Sequence, residues 1–387
     1  MKLPLQGKFQ YPWRHGNRFE LLVDGPVYFP RMLEAIEHAR AQVWLEMYLF
    51  ESGAVAGRFI AALGRAARRG VEVRLLLDDY GATQLHAADR ARLTESGVML
   101  VLYNPLQWRK WLGNLFRDHR KLLIVDGGEA FVGGTGITDA FDDPNDAARS
   151  WRETSIRIVG PVLADWQALF AQHWRELDPE PIAVAAPAPQ AHADGTPGRV
   201  TPGVALRVQD IRRSLYNRLR SAERRIWITT AYFVPSRRKL HALKKAVQRG
   251  VDVRLLLPGP ISDHPAVRHA GRRFYSGLLR AGVRVFEYQP RFLHAKTAVC
   301  DDWVSIGSSN FDRWNLRWNL EANQEVDDRP FADAACAMFE DDMHDSVEIR
   351  YQDWLRRGLR ARLREHLWGR VDLFLESLGR LRGVRMK

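Results

Sequence analysis

The chain has 387 residues, 46% of them apolar and 27% charged, a balance that excludes a disordered or fibrous protein and leaves room for two domains or lobes. Lysine and arginine number 58 against 46 acidic residues, a net charge of +12, which favours a polyanionic partner, either nucleic acid or an anionic membrane surface. Cys300 and Cys336 are too few for a disulfide framework and suit a reducing compartment, no apolar run approaches the ~18 residues of a spanning helix, and the segment 1–7 lacks a secretory apolar core, so any membrane contact is expected to be peripheral.

In chain order, Val43-Trp-Leu-Glu-Met-Tyr-Leu-Phe50 reads as a first strand, and Phe59, Leu63 and Ala66 mark one face of a following helix. Arg69-Gly-Val-Glu-Val-Arg-Leu-Leu-Leu77 and Gly97-Val-Met-Leu-Val-Leu-Tyr103 give two more strands. Short apolar runs alternating with helices predict βαβ units and a mixed, mostly parallel sheet flanked by helices. Residues 106–116 interleave Trp108, Trp111, Leu112, Leu115 and Phe116 with Arg109, Lys110 and, just beyond, Arg117. That pattern fits either a flap at a lipid headgroup boundary or a core segment. Next come His119-Arg-Lys121, Asp126, the turn Gly133-Gly134-Thr135, and Glu153.

Six prolines between 179 and 202 predict a Pro/Ala-rich linker over 179–202, separating a first lobe, 1–178, from a second, 203–350. The second half then repeats the first. Ile226-Trp-Ile-Thr-Thr-Ala-Tyr-Phe233 answers the strand at 43–50, Arg249-Gly-Val-Asp-Val-Arg-Leu-Leu-Leu257 answers 69–77, and Gly282–Tyr288 answers 97–103. So many ordered matches imply an internal duplication. The second motif is His294-Ala-Lys296 with Asp301, followed by Gly307-Ser308-Ser309-Asn310 and Glu321. Leucines and other apolar residues then recur every three or four positions over 351–387, predicting a basic amphipathic helix that either meets a membrane or packs on the protein.

Both motifs read His-x-Lys-x4-Asp on a predicted strand, where residues i and i+2 share a face. A pseudo-twofold arrangement would therefore gather two imidazoles and two ammonium groups in one pocket. One neutral imidazole can attack phosphorus, the other can protonate the leaving oxygen, and the lysines can hold the non-bridging oxygens. Glu153 and Glu321 are candidates to orient the histidines. No zinc-like ligand spacing is visible, and each lysine would repel a cation, so neither metal nor cofactor is expected.

At these residues the sequence resembles the phospholipase D superfamily, and within it the shorter bacterial cardiolipin synthases of the B type, from Trp13-Arg-His-Gly-Asn17 to Leu320-Glu-Ala-Asn323. The resemblance implies two α/β lobes related by a pseudo-twofold, and phosphatidyl transfer between phospholipids through a covalent phosphatidyl-histidine. It also implies a supporting rather than phosphate-touching role for Asp126 and Asp301. His119 is then the expected nucleophile and His294 the expected general acid. Phosphatidylglycerol and an anionic membrane surface are the expected partners, at the cytoplasmic face of the bacterial inner membrane, and no nucleic acid is expected. A phospholipase D hydrolase, a nuclease of the same superfamily and a non-catalytic scaffold are the competing readings. Three details depart from the family pattern, one of them Glu153, which follows Trp151-Arg152 where relatives often have Asp and preserves the charge. Gly136 replaces an Asn, and five rather than six residues separate the second motif's Asp from its Gly turn, which is expected to tighten that turn and shift Ser308.

Overall fold

The computed structural model describes residues 9–178, 182, 191–204, 207–312 and 318–358. The first half runs β1 (Arg14–Val23), α1 (Gly25–His38), β2 (Gln42–Met47), α2 (Ala54–Arg68), β3 (Glu72–Asp78), α3 (Ala87–Glu95), β4 (Met99–Tyr103), β5 (Lys121–Val125), β6 (Glu129–Gly133), β7 (Thr154–Val159) and α4 (Leu163–Leu177). The second runs β8 (Thr196–Val204), β9 (Val208–Gln209), α5 (Asp210–Ser221), β10 (Arg225–Thr229), α6 (Arg237–Gln248), β11 (Asp252–Pro258), α7 (Pro265–Arg272), α8 (Tyr275–Leu279), β12 (Arg284–Tyr288), β13 (Thr297–Cys300), β14 (Trp303–Gly307), β15 (Leu320–Asp327), the helix Arg329–His344, β16 (Ser346–Glu348) and the short helix Tyr351–Leu355.

The repeated Arg-Gly-Val blocks are helix stops. Gly70 and Gly250 adopt φ of 87° and 88°, the left-handed region that glycine enters without a Cβ penalty. The next amides, Val71 and Val251, reach back to Ala66 O and Ala246 O at 3.2 and 3.1 Å, the six-to-one bond that closes a helix and releases the chain into a strand. β2 and β3 are buried almost throughout, as parallel strands covered on both faces must be.

The strands form one sheet in the order β16-β12-β11-β10-β13-β14-β15-β8-β1-β7-β6-β5-β2-β3-β4, a two-lobed α/β fold as the duplication predicts. The parallel part is smaller than the repeats suggest. It comprises β2-β3-β4 in one lobe and β10-β11-β12 in the other, and the remaining pairings are antiparallel. The motif strands β5 and β13 fold back as hairpins with β6 and β14, a connection only antiparallel strands can make.

One core is shared by both halves. Trp44, Trp166, Phe170 and Trp174 from the first meet Trp227, Phe286 and Phe339 from the second, while separate apolar layers lie on the outer face of each lobe. A buried bidentate pair crosses between halves, Arg152 Nε and Nη2 each donating at 2.8 Å to Asp342.

Two boundaries differ from expectation. Residues 196–202 of the expected linker belong to β8, which pairs with β15 on one side and β1 on the other, whereas 179–181 and 183–190 lie outside the described residues. The expected helix over 351–387 ends after Leu355 in its described part, and 359–387 lie outside it. Trp354 is buried there against Tyr275 and the Arg272 guanidinium, so the tail begins packed on the second lobe. Among the described residues no helix is long and apolar enough to cross a membrane.

Candidate active site

Each motif histidine stands just before its strand, at a point where the chain leaves its own sheet to touch the other lobe. His119 N donates to Leu320 O at 2.9 Å and Leu320 N to Arg117 O at 2.9 Å. His294 N donates to Arg152 O at 2.8 Å and Arg152 N to Phe292 O at 2.9 Å. These two parallel bridges place each histidine beside the other half's glutamate. His119 Nδ1 lies 3.1 Å from Glu321 Oε2, and His294 Nδ1 lies 2.5 Å from Glu153 Oε2. The orienting carboxylates are therefore those expected, but they are exchanged between lobes.

Both glutamates are fully buried, while His119 and His294 keep 9% and 7% of their surface. The motif lysines are buried too. Lys121 Nζ donates to His119 O at 2.7 Å, and Lys296 Nζ lies 2.9 Å from His294 Nδ1 and 3.4 Å from Glu153 Oε2. Burial lowers both histidines below the ordinary imidazole range, His294 well below it. Burial also lowers Lys296 and takes Lys121 down to about 7, because a desolvated ammonium loses hydration. The Lys296 charge adds to the depression of His119, and that of Lys121 to the depression of His294. The two motifs thus share one electrostatic environment.

The turns after the motifs make the halves unequal. Ser308 donates to the Glu321 carboxylate and accepts from Ala322 N at 3.0 Å, so Glu321 is fixed from both sides. At the matching place is Gly134, where a Cβ would lie 2.3 Å from Glu153 Oε2. Glycine lets Glu153 approach, and Lys296 rather than a hydroxyl is its partner. Thr135 is occupied structurally, its Oγ1 at 3.0 Å from the Tyr28 hydroxyl and 3.1 Å from Gly136 O. An Asn could not replace Gly136, since even a Cβ there meets Leu49 Cβ at 2.8 Å. Asn310 accepts from Thr230 Oγ1 and Tyr232 N through Oδ1, while its buried Nδ2 has no hydrogen-bond partner among the described residues. A donor left this way suits an anionic ligand.

Asp126 and Asp301 do not enter the site. They occupy the hairpin tips at the far ends of β5 and β13, with φ of 52° and 54°. Asp126 accepts from the backbone amides of Arg40, Ala41 and Gln42, and Asp301 from those of Glu223, Arg224 and Arg225. Each therefore anchors a motif strand to its neighbour. The one-residue difference after the motif Asp is absorbed at the same tips. Leu122 pairs with Val132 and Thr297 with Ile306, so each lysine keeps the same relation to its Gly turn and Ser308 is not displaced.

Several neighbours were not apparent from the sequence. Tyr48 packs on His119 at 4.8 Å and lies 5.0 Å beneath the Lys121 ammonium. Phe141, Trp151 and Phe292 surround His294 at 5.5, 5.2 and 5.6 Å. Asp263, which accepts from Tyr232 OH, acts electrostatically on His294 and Lys296. Pairing with the motif across a turn carries no spacing signal, so only the fold reveals these residues.

Behind His119 lies a buried set with metal-ligating chemistry, Glu46, Asp118 and His173, whose donor atoms fall within 4.8 Å of one another. His173 Nδ1 is 2.8 Å from Glu46 Oε1, and Arg120 Nη1 donates to that oxygen at 3.4 Å. Desolvation lifts Asp118 to about 8 and lowers His173 to about 4. Arg120 supplies positive charge beside Glu46, and the set reaches the site only through the chain, Asp118 directly preceding His119.

Comparison with known proteins agrees with this geometry. Residues 32–174 and 215–343 match the family model described as cardiolipin synthase, PLD-like domain. Cardiolipin synthase A of Pseudomonas putida (strain W619) is 36% identical over 354 residues, covering 88% of this chain and 72% of that protein. Cardiolipin synthase B of Salmonella typhi is 36% identical over 337 residues, covering 82% and 78%. Among solved structures, phosphatidylserine synthase of Haemophilus influenzae Rd KW20 shares the fold with a TM-score of 0.72 at 13% identity, covering 96% of this chain and 97% of that one. With two motifs, exchanged carboxylates and matches along most of its length, the chain belongs to the cardiolipin synthase family with phospholipase D-like domains.

Proposed function

We propose that the protein is a cardiolipin synthase acting through a phosphatidyl-histidine intermediate, with phosphatidylglycerol as one of its two phospholipid substrates. The observation that carries this reading is the exchange of carboxylates, which engages both Nδ1 atoms with glutamates from the opposite half and leaves His294 Nε2 3.2 Å from the Lys296 ammonium. A proton at His119 Nδ1, held by Glu321, puts the lone pair on Nε2. The anionic phosphodiester, together with Glu153, favours uptake of a proton by His294 on binding; His119 Nε2 then attacks phosphorus, and the P–O bond to the departing alcohol breaks as His294 gives that proton to its oxygen. In the second half-reaction His294 takes a proton from the acceptor's hydroxyl, whose oxygen attacks phosphorus and releases His119. Lys121, Lys296 and Asn310 hold the non-bridging oxygens. The unequal partners support this order of roles. His119 has a single carboxylate fixed by Ser308, whereas His294 lies between a carboxylate and an ammonium, a setting that suits moving a proton.

Mass spectrometry of lipids from cells expressing the chain or its His119→Ala variant tests the assignment. New cardiolipin should appear only with the unmutated chain. Phosphatidic acid in its place would identify a hydrolase.

A depressed Lys121 gives a pH dependence. The cation that binds phosphate is present below about 7 and is lost as pH rises through that value. Since kcat/KM reports ionisations of the free enzyme, log kcat/KM should fall above about pH 7. It should also fall below the histidine range, where His119 becomes protonated. A flat profile from pH 6 to 9 would exclude the phosphate role for Lys121.

The flap is the proposed membrane contact. Trp108 is 99% exposed and Trp111 72%, with Leu106 and Leu115 about half exposed. They project from a turn held by Asn104 Nδ2 bonds to Gly113 O and Phe116 O and by reciprocal Gln107–Asn114 bonds, so the core reading of this segment is set aside. Tryptophans held in water on a fixed turn suit the headgroup boundary. The double variant Trp108→Ser/Trp111→Ser should bind anionic liposomes about tenfold more weakly. Unchanged sedimentation would remove the flap from the membrane-facing surface.

A further inference from the structure

A basic cleft at the rim of the second lobe is unused by this mechanism. The short connection from Ser221 to Arg225 sets α5 antiparallel to β10, so α5 and α6 both start at the end of the sheet where Asn310 lies. Between these helix starts is a cavity of about 200 Å³ lined by Arg212, Arg213 and Tyr216 on one side and Ser236, Arg238 and Lys239 on the other. No carboxylate among the described residues lines it, although Asp210, at the first turn of α5, accepts from Arg213 Nη1 at 3.1 Å. Helix N-termini and fixed cations together make an anion site.

Lys239 is the informative residue. Counted from the repeated Arg-Gly-Val block, it occupies the place of Phe59, which is fully buried in the first lobe. Lys239 is itself only 5% exposed. Its ammonium lies 4.2 Å over the Phe311 ring and 3.4 Å from Asp312 O, directly after Asn310. Burial lowers it to about 8, with the Asp312 carboxylate opposing that shift. A buried lysine at a core position is costly, and the Asp312 carboxylate opposes the effect of burial without cancelling it. Lys239 also lines a smaller cavity of about 30 Å³ whose wall includes Lys296 and Asn310, so it stands between the cleft and the reacting groups.

We propose that this cleft is a second phosphate subsite, holding the phosphodiester of the phospholipid whose hydroxyl resolves the intermediate. The assignment rests on the transferase reading. An enzyme joining two phospholipids must place a second phosphate beside the first, whereas a hydrolase has no such need. Free inorganic phosphate shares the ligand chemistry and is the alternative occupant.

Calorimetric titration of the full chain carrying His119→Ala with dihexanoyl phosphatidylglycerol, below its micelle concentration, tests the subsite. Two binding events per chain are expected, falling to one when Lys239→Leu is added. Arg238→Gln, an exposed change with little bearing on folding, should weaken the same event about tenfold or more. Equal stoichiometry with and without Lys239→Leu overturns the subsite. A Lys239-dependent site that takes inorganic phosphate but not the short-chain lipid overturns the lipid assignment. Cardiolipin formation by the unmutated chain is measured in parallel. If it is absent while the Lys239-dependent lipid site persists, the transferase reading fails and with it the acceptor role, leaving a phospholipid phosphate site; if cardiolipin forms and no second site exists, the subsite alone fails.

Discussion

His119→Ala and His294→Ala should each lower phosphatidyl transfer by about 10³-fold or more, because each residue serves both half-reactions and no neighbouring group is placed to replace it. The two losses should differ in kind. Without His119 there is no nucleophile, so no covalent adduct forms on any substrate. Without His294 the natural leaving alcohol departs unprotonated and the first step stalls, but a phosphodiester with a nitrophenol leaving group needs no acid. With that substrate the His294→Ala enzyme should accumulate a phosphoryl adduct on His119, since nothing removes the proton from the acceptor. Peptide mapping reads the adduct directly. An adduct on His294 in the His119→Ala enzyme, with none in the converse variant, would reverse the roles.

Much of the fold was legible because duplication repeats local physics. Gly70 and Gly250 close helices by the same backbone bond, and Asp126 and Asp301 tie down the same hairpin tip, so equal spacing in sequence reports equal geometry. What failed to show depends on contacts between halves. Glu153 and Glu321 follow their histidines by 34 and 27 residues, spacings that point to partners within each half. Only the bridges from Arg117–His119 to Leu320 and from Arg152 to Phe292–His294 reveal the exchange. β8 escaped for another reason. Thr196-Pro-Gly-Arg-Val-Thr-Pro-Gly-Val204 has the composition of a loop, and proline lacks the amide a ladder needs. It is accommodated because pairing with β1 is short and irregular, limited to Arg14 with Gly198 and Asn17 with Thr196, while β15 supplies the continuous register. The flap was open to two readings because alternating aromatic and basic residues suit a core edge as well as a surface, and burial alone separates them.

The exchanged carboxylates give the second large effect and a direct check on the site. Glu321→Gln keeps the volume of the buried side chain and its bond from Ser308, but an amide can turn its NH2 group toward His119 Nδ1. That favours the tautomer with the proton on Nε2 and removes the attacking lone pair. Transfer should fall by about 10²-fold or more, and adduct formation from the nitrophenyl substrate should slow by a similar factor. Ser308→Ala, which releases only one of the bonds fixing Glu321, should cost about tenfold. Glu153→Gln acts on the other half-reaction. It leaves His119 with its carboxylate, so the adduct from the activated substrate should form at nearly the normal rate and then persist because His294 no longer activates the acceptor. Partners drawn from within each half would give the opposite assignment, with Glu153→Gln slowing adduct formation and Glu321→Gln slowing its breakdown. Single-turnover measurement of the two steps in the two variants therefore decides whether the lobes exchange their carboxylates in the working enzyme, since only that exchange makes the mutation in one half silence the histidine of the other.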